Sequence, residues 1–227
     1  MINQYIRHFK IFLLLAVISH ICVNVYAREE IKRERPGNLF SPSKIPLLED
    51  AGRDTWQKPE EILNALDIKK GQVVADIGAG SGYLTVKLSE CVEVDGTVYA
   101  VDVQQEMLDY INKRLSNKEG KNVKLVLGNM DDPKLPTGSL DTAILLSTYH
   151  EIAHPVDFIK KVKLALKPHG KLAILEFSYE SPIGPPLQVR LPEDLIISEL
   201  KQAGFTLSQR HIFLFPYQYF LIFTPSR

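Results

Sequence analysis

Short apolar segments alternate with amphipathic segments along most of the chain. The apolar segments are four or five residues long and largely aliphatic, which is typical of strands buried on both faces of a sheet. They are Val73–Ile77, Val98–Val101, Val123–Leu127, Thr142–Leu146 and Leu172–Leu175. Between them, apolar residues recur at helical spacing near Tyr83–Cys91, Gln105–Leu115 and Val156–Leu166. Such alternation predicts right-handed βαβ units and a parallel sheet.

The pattern changes at both ends of this region. A short helix is predicted at Pro59–Leu66, where proline suits the first turn. After a helix near Glu193–Ala203, the segments Phe205–Phe213 and Gln218–Phe223 are predicted to form two strands joined by a tight connection. The fold class is therefore α/β: a doubly wound, mostly parallel seven-stranded sheet with helices on both faces and a C-terminal antiparallel hairpin. We assign this fold to a single domain that spans residues 56–227.

The first 27 residues differ in composition from the rest. Arg7 and Lys10 precede an apolar run without Asp or Glu, and the run ends in Val25, Tyr26 and Ala27, which resembles a signal-peptidase site. We predict a signal peptide over residues 1–27, with cleavage near Ala27 and export to the periplasm or beyond.

The residues after this segment leave an alternative open. They begin with a cluster of basic side chains that resists translocation: Arg28, Lys32, Arg33 and Arg35. In that alternative, residues 11–27 associate with the membrane as an uncleaved anchor and the domain stays on the cytoplasmic side. Residues 28–55 are charged and then rich in Pro and Ser, without a sustained period, and are predicted to form a linker or a lid.

Composition and charge narrow the classes of partner. Lys+Arg and Asp+Glu both number 27, so the chain has no net basic field to attract nucleic acid. Hydrophobic residues make up 45% and charged residues 24%, which excludes wholesale disorder and a multi-span membrane protein. Cys91 is the only cysteine after residue 27, so cleavage there leaves no pair for an intramolecular disulfide. Oligomeric state is not predicted.

A glycine-rich loop follows the first predicted strand. Residues 76–82 read DIGAGSG, and a helix is predicted to begin at Tyr83. Glycines on such a turn let the backbone approach a ligand, and the next helix directs free N–H groups toward it. A dinucleotide fingerprint would need glycine at position 83, so NAD is disfavoured. Asp102 follows Gly82 by 20 residues, where a carboxylate can accept hydrogen bonds from ribose hydroxyls; the alternative is a helix cap before Gln104.

These motifs resemble those of the class I S-adenosylmethionine-dependent methyltransferases. DIGAGSG is similar to their first motif and VYAVD, ending at Asp102, to their second. VLGNMDDPKLP resembles their adenine-side segment, LDTAILLSTYHEI their fourth strand and LKPHGKLAILEF their fifth. The resemblance covers roughly Trp56 to Phe223 and is closest to the small-molecule branch that includes ubiquinone and menaquinone C-methyltransferases. It implies a Rossmann-like methyltransferase fold, S-adenosylmethionine as cofactor and a small-molecule methyl acceptor.

The resemblance also assigns the methionine and ribose ends of the cofactor site. It implies that the three loop glycines, Gly78, Gly80 and Gly82, cradle the methionine end, with Asp76 near the amino group. Asp102 is then expected to hold the ribose.

The adenine side departs from the family pattern. Val103 is expected to pack on the adenine ring. Where relatives often show Gly-Asp-Ala, this chain has Asn129, Met130 and Asp131 after the glycine. The partner of the adenine amino group is Asn129 or Asp131, with Asn129 ranked first because it directly follows the third strand, and Met130 is placed in the same cofactor-binding segment. The alternative for Asp131 and Asp132 is that they cap a turn before Pro133.

The acceptor side has two candidate catalytic residues. His150 lies just past the fourth strand, at the crevice where open α/β sheets bind ligands, and is a candidate base. Tyr149 is predicted to shape the acceptor pocket. A histidine hydrogen-bonded for structural reasons is the alternative for His150. The Pro-containing loop Ser181–Pro192, after the fifth strand, is a candidate cover for the acceptor.

A competing motif overlaps these residues. His150, Glu151, Ile152, Ala153 and His154 spell HExxH, the signature of zinc peptidases, which would suit an exported protein. That chemistry needs both histidines on one face of a continuous helix, whereas Pro155 disfavours helical geometry at His154 and the preceding residues are predicted as strand. We therefore predict no metal site. A catalytically idle cofactor-binding protein is the remaining alternative.

Overall fold

A computed structural model describes residues 38–116 and 121–226, and within them a seven-stranded sheet. The strands are β1 Val73–Ile77, β2 Thr97–Asp102, β3 Val123–Leu127, β4 Leu140–Leu146, β5 Leu166–Phe177, β6 Phe205–His211 and β7 Gln218–Pro225. Their order is β3-β2-β1-β4-β5-β7-β6. Strands β1 to β5 pair in parallel, and β7 pairs antiparallel with both β5 and β6. The predicted fold class, including the C-terminal hairpin, is confirmed.

Seven α-helices surround this sheet in the described residues. They are α1 Ile45–Leu48, α2 Arg53–Gln57, α3 Pro59–Leu66, α4 Tyr83–Val92, α5 Gln105–Leu115, α6 Pro155–Ala165 and α7 Glu193–Gln202. Single 3₁₀ turns occur at Pro42–Lys44, Tyr149–Glu151 and Leu187–Val189. None of the described helices is long and apolar enough to cross a membrane.

Alternate strand residues supply two separate cores. In β1 and β4, Val74 and Ile144 pack with helices α3 and α4, whereas their neighbours Ala75 and Leu145 pack with helices α6 and α7. Because side chains of a strand point alternately to the two faces, an apolar residue at every position buries both faces at once. This arrangement explains why the strands read as continuous aliphatic runs.

The neighbouring positions of β1 and β4 create the crevice of the fold. From β1 the chain winds outward through β2 to β3, and then returns to place β4 on the other side of β1. Connections on the two sides of such a switch point diverge, and they leave an opening at the carboxyl ends of the strands. The glycine loop after β1 and residues 147–154 after β4 both lie at this edge.

Several element boundaries differ from the prediction, and at two of them a residue falls outside the element predicted for it. Leu166 was assigned to the end of a helix, but its backbone is extended and it begins β5 opposite Leu140. The pairing then shifts before Thr142 meets Lys171, so β5 has an irregular start that a pattern of apolar residues does not reveal. Phe213 was assigned to the first hairpin strand, which ends earlier, at His211.

The described part of the predicted linker or lid, residues 38–55, contains short helical turns. Ile45 is buried, and the backbone N–H of Phe40 donates to Glu151 Oε1 at 3.1 Å. Gln104 Nε2 donates to the Phe40 carbonyl at 3.0 Å. This segment therefore lies at the carboxyl edge of the sheet, next to both β2 and β4. The predicted signal or anchor segment, residues 1–27, lies outside the described residues.

Candidate active site

The glycine loop makes an abrupt turn between β1 and α4. Gly78, Gly80 and Gly82 all have positive φ, at 75°, 55° and 77°, a region that other residues rarely adopt. The amides of Gly78 and Ala79 donate to the carbonyl of Val101 at 2.8 and 2.9 Å, which fixes the loop against β2. The loop therefore presents its backbone at the crevice while remaining attached to the sheet.

The three glycines have different neighbours. A Cβ on Gly78 would collide with the side chain of Thr148 after β4, and a Cβ on Gly82 would lie 2.9 Å from Ile111 of α5. A Cβ on Gly80 would lie 3.2 Å from Leu48 of α1. Gly82 thus permits close packing of α5 against the loop, a role that the assignment of all three glycines to the cofactor did not include.

Asp102 is linked to the loop directly. Its Oδ2 accepts a hydrogen bond from the Gly80 amide at 2.9 Å, and its Oδ1 accepts one from the Gln104 amide at 3.0 Å. Burial raises the pKa of Asp102, while these backbone donors act in the opposite direction. The ribose and capping interpretations of Asp102 are therefore compatible, because one carboxylate with several lone pairs can serve both.

Asp76 is a buried carboxyl at the end of β1. Thr85 Oγ1 donates to its Oδ2 at 2.6 Å. Burial raises the pKa of Asp76 to about 6, against the lowering effect of the Thr85 hydrogen bond and of the charge on Arg53. A buried carboxyl of this kind favours a cationic partner, and an ammonium group would supply one.

The residues expected on the adenine side follow β2 and β3. The Gly128 amide donates to the Asp102 carbonyl at 2.9 Å, which brings the ends of the two strands together. Val103 is half-buried, and Asn129 and Met130 are exposed. The Asp131 carboxylate lies 3.2 Å from the Lys161 ammonium on α6. Asp131 is therefore engaged in an exposed ion pair with α6, and the partner of the adenine amino group stays a prediction.

Two buried donors near the loop have no hydrogen-bond partner in the described residues. They are Ser81 Oγ, between two of the loop glycines, and Arg53 Nε on α2. A third buried atom without a hydrogen bond, Glu193 Oε2 of α7, is matched by an ion pair with Arg210 Nη2 at 2.9 Å. Buried polar groups are normally paired, so unpaired donors beside a glycine loop fit a ligand that carries acceptor atoms.

His150 forms a buried pair with a residue that the sequence analysis missed. Its Nδ1 lies 3.0 Å from Oε2 and 3.1 Å from Oε1 of Glu176, and its backbone N–H donates to the same carboxylate at 3.2 Å. Glu176 lies near the end of β5, which pairs with β4, and His150 lies in the turn that follows β4. A carboxylate directly after the apolar run Leu172–Leu175, at the ligand-binding edge, is the signal that would have found it.

Glu151 is a second carboxyl at this edge. Burial raises the pKa of Glu151 to about 7, while the charge of His150 and the Phe40 amide lower it. The carboxyl therefore changes protonation near neutral pH, next to the candidate base.

Tyr149 does not lie where the sequence analysis placed it. Its side chain is fully buried in the core shared with helices α6 and α7, and its hydroxyl donates to Glu199 Oε2 of α7 at 2.9 Å. The 3₁₀ turn at Tyr149–Glu151 directs successive side chains to different sides, so Tyr149 packs inward while His150 meets Glu176. Tyr149 is thus a core residue in this structure.

The HExxH residues do not form the helix that a zinc peptidase needs. His150 and Glu151 lie in the 3₁₀ turn, Ile152 is extended, and His154 has φ −121° and ψ 69° before α6 begins at Pro155. The two histidines therefore do not share one face of a continuous helix.

Polar and aromatic side chains from α2 cover the neighbouring edge. Trp56 packs at 5.8 Å from Phe177 and 5.7 Å from Tyr217, as ring centroids. Gln57 Nε2 donates to Gln218 Oε1 at 2.5 Å. These contacts anchor α2 to the end of β5 and to the residue before β7.

The sheet is doubly wound, and its switch point carries a glycine loop that is hydrogen-bonded to a carboxylate. This combination is typical of proteins that bind a nucleoside cofactor, methyltransferases among them. Residues 68–209 match a family model described as a methyltransferase domain. The chain belongs to this methyltransferase family, whose class uses S-adenosylmethionine.

A solved structure supports the assignment. The chain is 31% identical to an S-adenosylmethionine-dependent methyltransferase from Aquifex aeolicus, with a TM-score of 0.78, over 82% of this chain and 98% of that one.

Curated relatives match over a smaller part of their length. The chain is 26% identical over 125 residues to a demethylmenaquinone methyltransferase of Geobacillus sp. (strain WCH70), which is 55% of this chain and 53% of that protein. It is 29% identical over 138 residues to a ubiquinone/menaquinone biosynthesis C-methyltransferase of Ectopseudomonas mendocina, which is 60% of this chain and 53% of that protein. The chain spans about half the length of these curated relatives.

Proposed function

We propose that this protein transfers a methyl group from S-adenosylmethionine to a small-molecule acceptor. The observation that carries the proposal is the link between the Gly80 amide and Asp102 Oδ2 at 2.9 Å, because it places a buried carboxylate beside the glycine loop at the switch point of the sheet. Family membership and the similarity to quinone-pathway methyltransferases support the same reaction class.

The residues present fit the proposed cofactor. Asp76 would hold the ammonium group of its methionine moiety, Asp102 its ribose, and Val103, Asn129 and Met130 the adenine side. The unpartnered Ser81 Oγ supplies a donor at the loop. When bound, the cofactor supplies an electrophilic methyl group on a sulfonium, so the protein's main task is to align the acceptor and exclude water.

His150 is proposed to be the base on the acceptor side. In the tautomer whose Nδ1–H donates to Glu176 across the 3.0 Å contact, Nε2 is the ring nitrogen that carries the lone pair for a proton. The buried carboxylate fixes the tautomer and stabilises the imidazolium that forms when a proton is taken up, as in other histidine–carboxylate pairs. A base of this type suits an acceptor with an acidic hydroxyl or an acidic carbon. Glu176 is then a positioning residue, since it acts through His150.

The N-terminal segment is a separate proposal. Residues 1–27 are proposed to direct export with cleavage near Ala27, on the strength of the basic residues, apolar run and terminal Ala27 described above. Retention as a membrane anchor is the other outcome of a test.

Calorimetry on the purified protein tests the function before any acceptor is identified. S-adenosylmethionine and S-adenosylhomocysteine are expected to bind with one-to-one stoichiometry, and Zn²⁺ is expected not to. Stoichiometric zinc that is lost in both His150→Ala and His154→Ala would support the peptidase alternative and overturn the proposal. Binding of cofactor without methyl transfer to any of a panel of phenolic and quinol acceptors would favour the catalytically idle alternative.

A further inference from the structure

Arg53 lies beside the first residue after the glycine loop. Its guanidinium carbon is 3.7 Å from the centroid of the Tyr83 ring, and Tyr83 begins α4 directly after Gly82. Stacking on an aromatic face holds the planar guanidinium in one orientation. The cation is thereby kept at the end of the loop where α4 begins.

The positive charge of Arg53 is not matched by a carboxylate. The carboxyl groups that act on it electrostatically are each bound to other partners: Glu49 to Arg114, Asp54 to Tyr83 and Lys87, and Asp76 to Thr85. Among residues 38–116 and 121–226, no carboxylate lies within 4.0 Å of the guanidinium. Among the described residues, the cation next to the glycine loop is therefore in direct contact with no carboxylate.

The donors of Arg53 are also only partly used. Nη1 donates to the Leu48 carbonyl at 2.8 Å, Nη2 has a long contact of 3.4 Å to Gln57 Oε1, and Nε is buried without a partner. Burial lowers the pKa of Arg53, and the nearby acidic groups, which act in the opposite direction, do not fully offset this effect. A desolvated guanidinium with a spare N–H is suited to bind a carboxylate.

We propose that Arg53 binds the carboxylate of the cofactor's methionine moiety. This inference rests on the proposed function and extends it to a residue outside the sequence motifs. Asp76, which is proposed to hold the ammonium group, lies close enough to Arg53 for each to affect the other's charge. A fixed cation and a fixed anion at one end of the loop form a site for an amino-acid zwitterion. Ser81 Oγ offers a further donor at the same loop.

The test compares two ligands that differ only in the carboxylate. S-adenosylhomocysteine carries it, and the decarboxylated analogue of S-adenosylhomocysteine keeps the adenosyl and ammonium groups but lacks it. Binding of each is measured by calorimetry to the wild-type protein and to Arg53→Gln, Arg53→Lys and Arg210→Gln. Arg210 is the matched control, because it lies on the edge strand β6 and pairs with Glu193. Thermal unfolding of each variant checks that it is folded.

The expected result is a ligand-specific loss. Arg53→Gln should weaken the binding of S-adenosylhomocysteine by about 10- to 100-fold and the binding of the decarboxylated analogue by less than about threefold. The loss of S-adenosylhomocysteine affinity should be intermediate in Arg53→Lys and absent in Arg210→Gln. Equal loss for both ligands, or unchanged affinity for S-adenosylhomocysteine in Arg53→Gln, would overturn the assignment while leaving the proposed function intact. If Arg53→Gln does not fold, the wild-type protein still decides, because similar affinities for the two ligands exclude a carboxylate contact. Wild-type protein that binds neither ligand would instead refute the proposed function.

Discussion

Glu176 Oε2 lies 3.0 Å from His150 Nδ1, although 26 positions separate the two residues in the chain. The pair is buried and joins the carboxyl ends of β4 and β5 at the crevice. A buried carboxylate beside one ring nitrogen holds the imidazole in one orientation. This relationship makes His150 a defined candidate base instead of one histidine among six.

Changing this pair should affect catalysis more than cofactor binding. His150→Ala is expected to lower methyl transfer by roughly 100-fold or more, with cofactor affinity nearly unchanged, because a base acts only on the acceptor. Glu176→Gln should have a smaller effect, on the order of tenfold, and should move the acid limb of the pH–rate profile to lower pH, since glutamine stabilises the imidazolium less well. Rates measured across pH, with cofactor binding as the control, distinguish this from a structural role. An unshifted profile in Glu176→Gln would contradict the assignment.

Loss of the Asp102 carboxylate should weaken cofactor binding. Asp102→Ala is expected to reduce the affinity for S-adenosylhomocysteine by about 1.5 to 3 kcal/mol, through loss of charge-assisted hydrogen bonds to the ribose. Asp109→Ala is the matched control, because Asp109 is exposed on α5. Calorimetry gives both values, and equal affinities in the two variants would refute the ribose assignment.

Cofactor affinity should depend on pH through Asp76. Because the pKa of Asp76 is raised to about 6, the carboxyl becomes protonated as pH falls through that value. Only the ionised form attracts an ammonium group, so affinity for S-adenosylhomocysteine is expected to fall by up to about tenfold per pH unit below the pKa. Asp76→Asn should bind weakly at every pH and lose this dependence. Calorimetry from about pH 5 to pH 8 provides the test.

Glu151 should make folding stability decrease with rising pH. Its pKa is about 7 in the folded chain against an ordinary value of 4.5, so the folded state retains a proton that the unfolded state releases. This contribution is fully present below the unfolded value and is lost as pH rises through about 7. Glu151→Gln keeps an acceptor for the Phe40 amide. As pH rises across this window, its free energy of unfolding should therefore increase relative to that of the wild type by on the order of 1 to 3 kcal/mol. Denaturant unfolding at several pH values measures the difference, and a constant difference would rule out the effect.

The location of the protein can be tested independently of its activity. A C-terminal reporter fusion is expected to appear outside the cytoplasmic membrane, and sequencing of the purified protein is expected to begin at or near Arg28. An intact Met1 in the membrane fraction, with the domain protected from external protease, would instead indicate a cytoplasm-facing anchor.

The sequence by itself determined the features that depend on neighbouring residues. The bounds of β1, β3, α3 and α5 were predicted as observed, because buried strands and amphipathic helices have a local spacing of apolar positions. The order of strands and helices implied parallel pairing, since right-handed crossovers leave few other topologies. The loop from Asp76 to Gly82 and its relation to Asp102 were visible for the same reason: one βαβ unit contains them all.

Only the tertiary structure decided which distant side chains meet. Glu176 reaches His150 because β4 and β5 are neighbours in register, and Arg53 reaches Tyr83 because a short helix packs against the loop. Tyr149 was misplaced since a single 3₁₀ turn rotated it into the core toward Glu199. The direction of a side chain in a turn follows from local dihedral angles and from the space left by packed elements. Neither quantity is expressed in the spacing of apolar and polar residues along the chain.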